Sequence, residues 1–281
     1  MVDTATRISN LFARKRAGGR KAFIAYLTAG DPAPEQTAAL VLALERGGAD
    51  LIELGVPFSD PIADGPVIQR AADRALKAGM TLSRLLETVR EIRRTSQIPL
   101  LLFSYMNPLL RYGFEKLARD SAGAGIDGVL MTDLCIEEAE EPVKRLRGHG
   151  LDTVFLAAPT STERRLKLVA EHSSGFIYLV SRTGVTGERA SLSNAAAPLT
   201  KKVRALTDLP LAVGFGISTP TQVAEVAGIA DGVVVGSALV KCIETHRDKT
   251  QLADEVERFT RALMEVAQRS GPRTGVILCN P

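Results

Sequence analysis

Cysteine is scarce in this chain: Cys135, Cys242 and Cys279 are spread over 281 residues. An odd, unclustered set supplies no disulfide framework, offers no metal-ligand spacing, and fits a reducing compartment. Histidine is as rare. His149, His172 and His246 fall in helical or loop contexts, away from the ends of the chain's apolar runs, and no H-x-x-x-H pair suggests a metal. Charge of one sign is lacking too. The 35 basic and 32 acidic residues leave +3, too balanced for a nucleic-acid surface, and the short run Arg14, Lys15, Arg16, Arg20 and Lys21 reads as a solvated helix end. No uncharged apolar stretch approaches the roughly 18 residues of a membrane helix. The start, M-V-D-T-A-T-R-I, has no apolar signal core. These absences predict a soluble, cytoplasmic protein without metal or cofactor. Also missing are a nucleophile elbow, a G-x-G-x-x-G after the first strand, a Pro/Gly/Ser-rich linker and any low-complexity block.

What is present is a repeat of strand and helix. Apolar, β-rich runs occur at 22–28, 50–56, 98–105, 126–131, 152–157, 176–181, 209–215 and 232–236. They are continuously apolar rather than alternating, as strands covered on both faces must be. Amphipathic stretches lie between them, among them 36–46, 82–94, 114–122, 138–147 and 164–171. Eight such repeats over about 250 residues predict a single α/β domain, a closed (β/α)8 TIM barrel spanning 1–270. An extra N-terminal helix is expected at 8–16 and another helical piece at 66–78, with a loosely held tail at 271–281. An open doubly wound sheet is the competitor, and the missing glycine fingerprint counts against it.

The barrel rule puts the site at the C-terminal strand ends. The second run carries Glu53 among Leu51, Ile52, Leu54 and Val56, then breaks into a loop with Pro57, Asp60, Pro61, Asp64 and Pro66. A carboxylate in that setting either faces a polar cavity or costs several kcal/mol of desolvation. An acid with a raised pKa beside loop acids that stay ionised divides acid and base roles. The alternative is a strand-end Glu paired with a core Arg or Lys, plus two turn-forming Asp residues. Strands seven and eight end in G-F-G-I-S (214–218) and V-V-V-G-S-A-L-V (233–240), a common phosphate cradle in barrels; Ser237 adds a donor there or simply caps the last helix. The sixth run leads into S-R-T-G-V-T-G and the small, polar residues 188–197, which read as a mobile lid over 182–194 or as an ordinary surface loop. Tyr178 either fills the core or aims its hydroxyl at a substrate. Asp133 is catalytic or caps the following helix, and Asn107 reads first as a turn residue before proline.

Taken together, E-L-G-V-P-F-S-D-P-I-A-D-G-P, F-I-A-Y-L-T-A-G-D-P, S-R-T-G-V-T-G, G-F-G-I-S and V-G-S-A-L-V, in order at successive strand ends, resemble the tryptophan synthase α subunit family. The resemblance runs from about Arg7 to Arg269. It implies retro-aldol cleavage of indole-3-glycerol phosphate to indole and glyceraldehyde 3-phosphate. By position it makes Glu53 the general acid/base, Asp64 the group that holds the indole N–H, and Tyr178 a helper that places the acid. Gly187, Gly216, Gly236 and Ser237 match the phosphate cradle, and Tyr26, Phe103, Tyr105 and Thr132 match the indole pocket. Arg182, Gly184 and Thr186 belong to the lid. The family pairs with a pyridoxal-phosphate β subunit, giving α2β2 and a heterotetramer for tryptophan biosynthesis, and the loop of Pro57 and Asp60 falls at that contact. This chain departs from the pattern at Leu134–Cys135, where Leu-Pro is usual, at Tyr26, where phenylalanine is usual, and in the tail after Gly271. A stand-alone lyase releasing free indole, a related sugar-phosphate isomerase and a non-catalytic activating barrel are the alternatives.

Overall fold

In a computed structural model of the chain, residues 5–180, 192–214 and 216–269 are described. Their strands are β1 (Ala22–Thr28), β2 (Leu51–Gly55), β3 (Leu100–Ser104), β4 (Gly128–Met131), β5 (Asp152–Val154), β6 (Leu156–Ala157), β7 (Ile177–Val180), β8 (Leu211–Gly214) and β9 (Gly232–Val235). Every pairing is parallel, in the order β5-β4-β3-β2-β1-β9-β8-β7-β6. The first and last strands pair directly, Ala25 opposite Val235. Nine segments make eight staves. The run expected over 152–157 is interrupted at Phe155, and β5 and β6 are its two halves, one pairing β4 and the other β7. The ring is nearly closed, and the Tyr178 N–H donates to the Phe155 carbonyl at 3.1 Å at the interruption.

Outside the ring lie α2 (Thr37–Arg46), α3 (Pro66–Lys77), α4 (Leu82–Ile92), α5 (Met106–Tyr112), α6 (Phe114–Ala124), α7 (Glu140–Gly148), α8 (Glu163–His172), α9 (Leu192–Arg204), α10 (Pro220–Ala227), α11 (Ser237–His246) and α12 (Leu252–Arg269), with α1 (Arg7–Ala17) ahead of β1. Local chemistry sets their ends. Thr81 and Thr162 cap α4 and α8, and α10 opens on Pro220 with a reciprocal Thr219/Gln222 capping box. Strand residues pointing outward join the helices in one large apolar layer, as in Ile52, Leu54, Leu102 and Val233 against Leu40, Leu85 and Leu239. Those pointing inward, including Ile24, Leu51, Leu101, Leu130 and Val234, fill the barrel.

α1 closes the bottom. Its Ile8, Leu11 and Phe12 are buried against the inward layer, with Phe12 and Phe176 rings 5.5 Å apart. Polar groups finish that end: Asp127 accepts from Arg7, Arg93 and the Leu100 N–H, each at 2.8 Å. With the bottom plugged, the opposite, C-terminal face is the open one. Among the described residues no helix is long and apolar enough to cross a membrane.

Candidate active site

Glu53 lies on β2 in register with Tyr26 of β1 and Leu101 of β3. It is 1% exposed, and its Oε1 finds no hydrogen-bond partner. Burial pushes its carboxyl up to about 8 from an ordinary 4.5. Among the described residues no Arg or Lys pairs with it, which counts against the structural alternative of a core ion pair; at neutral pH Glu53 is a carboxylic acid with a proton to give.

Asp64 follows on the β2–α3 loop, half-buried. The Tyr105 hydroxyl accepts from the Ala63 N–H at 3.0 Å and donates to the Asp64 carboxylate. Burial raises Asp64 to about 6, and the Tyr105 bond opposes that rise. Phe58 packs on Tyr105 with centroids 5.4 Å apart, holding loop and strand end together. The two acids are therefore held apart in pKa, Glu53 protonated and Asp64 mostly ionised near neutrality.

Two tyrosines stand beside them. Burial first, and then the nearby charge of Glu53, hold the Tyr178 hydroxyl well above its usual range. Its oxygen lies 2.0 Å from where a Cβ on Gly214 would be, so this ring position exists only because β8 ends in glycine. Tyr26 depends on Gly55 in the same way, at 2.2 Å. The Tyr26 hydroxyl meets Thr28 Oγ1 at 3.4 Å, and its ring meets Phe103 edge-on at 5.3 Å. Val67, Ile68 and Ala71 of α3 and Val240 of α11 complete this apolar wall. The α3 contribution escaped the sequence reading, although its signal was there: apolar residues at helical spacing directly after Asp64.

The phosphate candidates gather at the β8 and β9 ends. Gly216 is exposed with φ +78°, a conformation that favours glycine. Gly236 is the N-cap of α11, and Ser237 is its exposed first residue. The helix has no side-chain cap, so Ser237 is not spent on capping, and the first-turn N–H groups keep their anion-binding capacity. Gly187, Arg182, Gly184 and Thr186 lie outside the described residues. Of the segment expected as a lid, 182–194, the last three residues belong to α9, which begins at Leu192.

Other candidates also make structural contacts. The Thr132 hydroxyl donates to the Ser104 carbonyl at 3.2 Å, which ties β4 to β3 beside the pocket. Asp133 does not cap the segment after it; its Oδ1 accepts from the Met106 N–H at 2.7 Å, at the start of α5. Asn107 is an exposed residue in the first turn of α5 rather than a turn residue, since Pro108 is tolerated that near a helix start. Pro57 is buried and lines a groove of about 490 Å³ with Phe58, Leu82, Asn107 and Tyr112. Asp60 is exposed and accepts from the Ser59 hydroxyl at 2.5 Å, and Ile62 beside it is 85% exposed. No group of three or more His, Cys, Asp or Glu among the described residues could hold a metal ion.

The model of the tryptophan synthase alpha chain family matches residues 12–268. The chain belongs to that family. It is 64% identical over 258 residues to the tryptophan synthase alpha chain of Solibacter usitatus (strain Ellin6076), covering 92% of this chain and 97% of that one. The alpha chain of Geotalea uraniireducens (strain Rf4) is 51% identical over 258 residues, with 92% and 96% covered. Among solved structures, the alpha chain of Legionella pneumophila subsp. pneumophila superposes with a TM-score of 0.86 at 36% identity, covering 95% of this chain and 99% of its own. A Mycobacterium tuberculosis tryptophan synthase gives 0.84 at 39%, with 94% and 98% covered. Tryptophan synthase alpha chains are lyases that cleave indole-3-glycerol phosphate, and the two acids, the aromatic wall and the uncapped helix lie on one mouth of this TIM barrel.

Proposed function

We propose that this chain cleaves indole-3-glycerol phosphate by a retro-aldol step in which Glu53 moves both protons. The buried acid gives its proton to indole C3, and the resulting positive charge spreads to the ring nitrogen. The ionised Asp64 accepts the indole N–H and steadies that charge. Glu53, now a carboxylate, takes the proton of the glycerol hydroxyl next to the breaking bond. The O–H electron pair becomes the aldehyde carbonyl, the C–C pair returns to the ring, and indole and glyceraldehyde 3-phosphate leave with Glu53 reprotonated. Tyr178 limits where the Glu53 carboxyl can lie, Tyr26, Phe103, Tyr105 and Thr132 frame the indole, and Gly216, Gly236 and Ser237, with Gly187, take the phosphate.

The observation that carries this reading is the unpartnered Glu53 oxygen at the open end of the barrel, with its pKa near 8 beside an Asp near 6. Indole release from indole-3-glycerol phosphate tests it, and no release by the folded protein, alone or with a β subunit, would overturn it. The proposal includes a single barrel domain, a cytoplasmic location and an α2β2 assembly with a pyridoxal-phosphate β subunit. The groove beside Pro57 and the solvent-facing Ile62 support a partner on that side, since a large apolar side chain held in water is stabilised by being covered.

A further inference from the structure

Two helices hold opposite ends of this site. α3 starts directly after the Asp64 loop, and α11 starts at Ser237, the phosphate end. Close to the site they meet through Ala71 and Val240 over the Tyr26 ring. Farther out they are joined by charge. Glu244 of α11 takes a two-pronged contact from Arg70 at 2.7 and 3.0 Å, and one from Arg74 at 3.0 Å. Arg74 also reaches inward with a second two-pronged contact, 2.7 and 2.9 Å, to Asp31, whose side chain is 1% exposed. Asp31 follows β1, the strand that carries Tyr26, and its N–H is bonded to the Thr28 carbonyl at 3.2 Å.

None of these groups is among the residues assigned above to the indole, the phosphate or the proton transfers. Their geometry is restrictive, however. A guanidinium that grips a carboxylate with two parallel bonds fixes direction as well as distance. Sliding or rotating α3 against α11 would break the two-pronged Arg70–Glu244 grip and the Arg74–Glu244 bond together. The indole end and the phosphate end of the site are thus held at a set separation by a cluster that lies outside it.

We propose that the Asp31–Arg74–Glu244–Arg70 cluster is a spacer that sets the distance between the indole-binding and phosphate-binding ends, so that Arg74 and Glu244 are positioning residues that select for substrate length. The inference rests on the reading above for what occupies each end. A molecule carrying both groups on one short chain must engage both ends together, and it loses the benefit of the link when the separation is wrong. Separate halves are indifferent to that separation. A cluster that only stabilised the fold would not distinguish the two cases.

The test is calorimetric titration of wild type and Glu244→Ala with three probes: indole, glycerol 3-phosphate, and a non-cleavable indole joined to a phosphate through a three-carbon chain. Glu244→Ala leaves the buried Arg74–Asp31 pair intact. Wild type should bind all three; if it binds none of them and releases no indole, the activity reading has failed, whatever the variant does. Given wild-type binding, the halves should bind Glu244→Ala within about twofold of wild type, while the joined ligand weakens by roughly tenfold or more. KM for the substrate should rise by a similar factor while the pH profile of kcat stays in place. Glu244→Asp, which keeps the charge but shortens the reach, should fall between. Should Glu244→Ala fail to fold, Arg70→Met removes one arm at a half-exposed residue and should show the same split at smaller size. Halves and joined ligand weakening together, or no change in any of the three, would overturn the spacer.

Discussion

Glu53 carries a cost that its proposed role explains. The folded chain keeps its proton up to about pH 8, whereas the unfolded chain loses it near 4.5. Between those values unfolding releases a proton, so stability falls as pH rises, and the loss is complete above about 8. Glu53→Gln removes that dependence. The variant should equal wild type in stability near pH 4.5 and exceed it at pH 8 by on the order of a few kcal/mol, as read by denaturant unfolding at the two pH values. Cleavage should meanwhile drop roughly 10²–10⁴-fold, because an amide cannot shuttle the proton. A variant that is both inactive and no more stable at high pH would mean that the carboxyl is not held protonated. Asp64→Asn should also be impaired, with a smaller stability gain, since its carboxyl is raised only to about 6.

At the scale of elements, the ends of strands matter more than their middles. Gly214→Ala would put a methyl within 2.0 Å of the Tyr178 oxygen and 2.5 Å of its ring carbon. The ring must move, and an error near 1 Å around Glu53 should cost about 10²-fold in kcat while the fold survives. Gly123→Ala on the exposed face of α6, where nothing lies within 4 Å of the new methyl, should leave kcat alone. It should stabilise by about 0.5–1 kcal/mol, measured by thermal unfolding. In the proposed reading, the loop after β2 separates chemistry from contact. Asp60→Ala should retain most of the unassisted indole release and lose most of any activation by an added β subunit; a variant already inactive alone would place Asp60 in the chemistry. The strands were readable because each is a continuous apolar run between breakers. Phe155 keeps that run unbroken in sequence, so the split into β5 and β6 left no mark. Asp133 was unreadable for another reason: its partner, the Met106 N–H, is 27 positions away and becomes adjacent only through β3–β4 pairing. Glu53 was legible because a carboxylate inside an apolar strand is costly, whereas Arg70, Arg74 and Glu244 look like any charged helix face until α3 and α11 are packed.

Across the whole molecule, one face keeps the barrel together and the other carries the proposed site. At the bottom, Asp127 binds Arg93 with both side chains nearly buried, 5% and 10% exposed. Asp127→Ala would strand Arg93 without its carboxylate, and should cost about 3 kcal/mol in a urea titration, as broken buried pairs do. Activity per folded molecule should stay within error, because the pair is at the far end from Glu53. A large fall in kcat with unchanged stability would contradict that division of faces.

Closure of the ring has a consequence for the order in which the chain can be made. β1 cannot complete its pairing until residues 232–235 of β9 exist, and α1 has no seat until Phe176 of the middle of the chain arrives. On the ribosome, at roughly 5–20 residues per second, the first strand therefore waits ten seconds or more with one edge unpaired. During that interval the half-built sheet offers neighbouring nascent chains a template for strand addition. Late residues, not early ones, decide when the hazard ends: a chain released before β9 should aggregate, and extending it past α11 should restore solubility abruptly rather than by degrees.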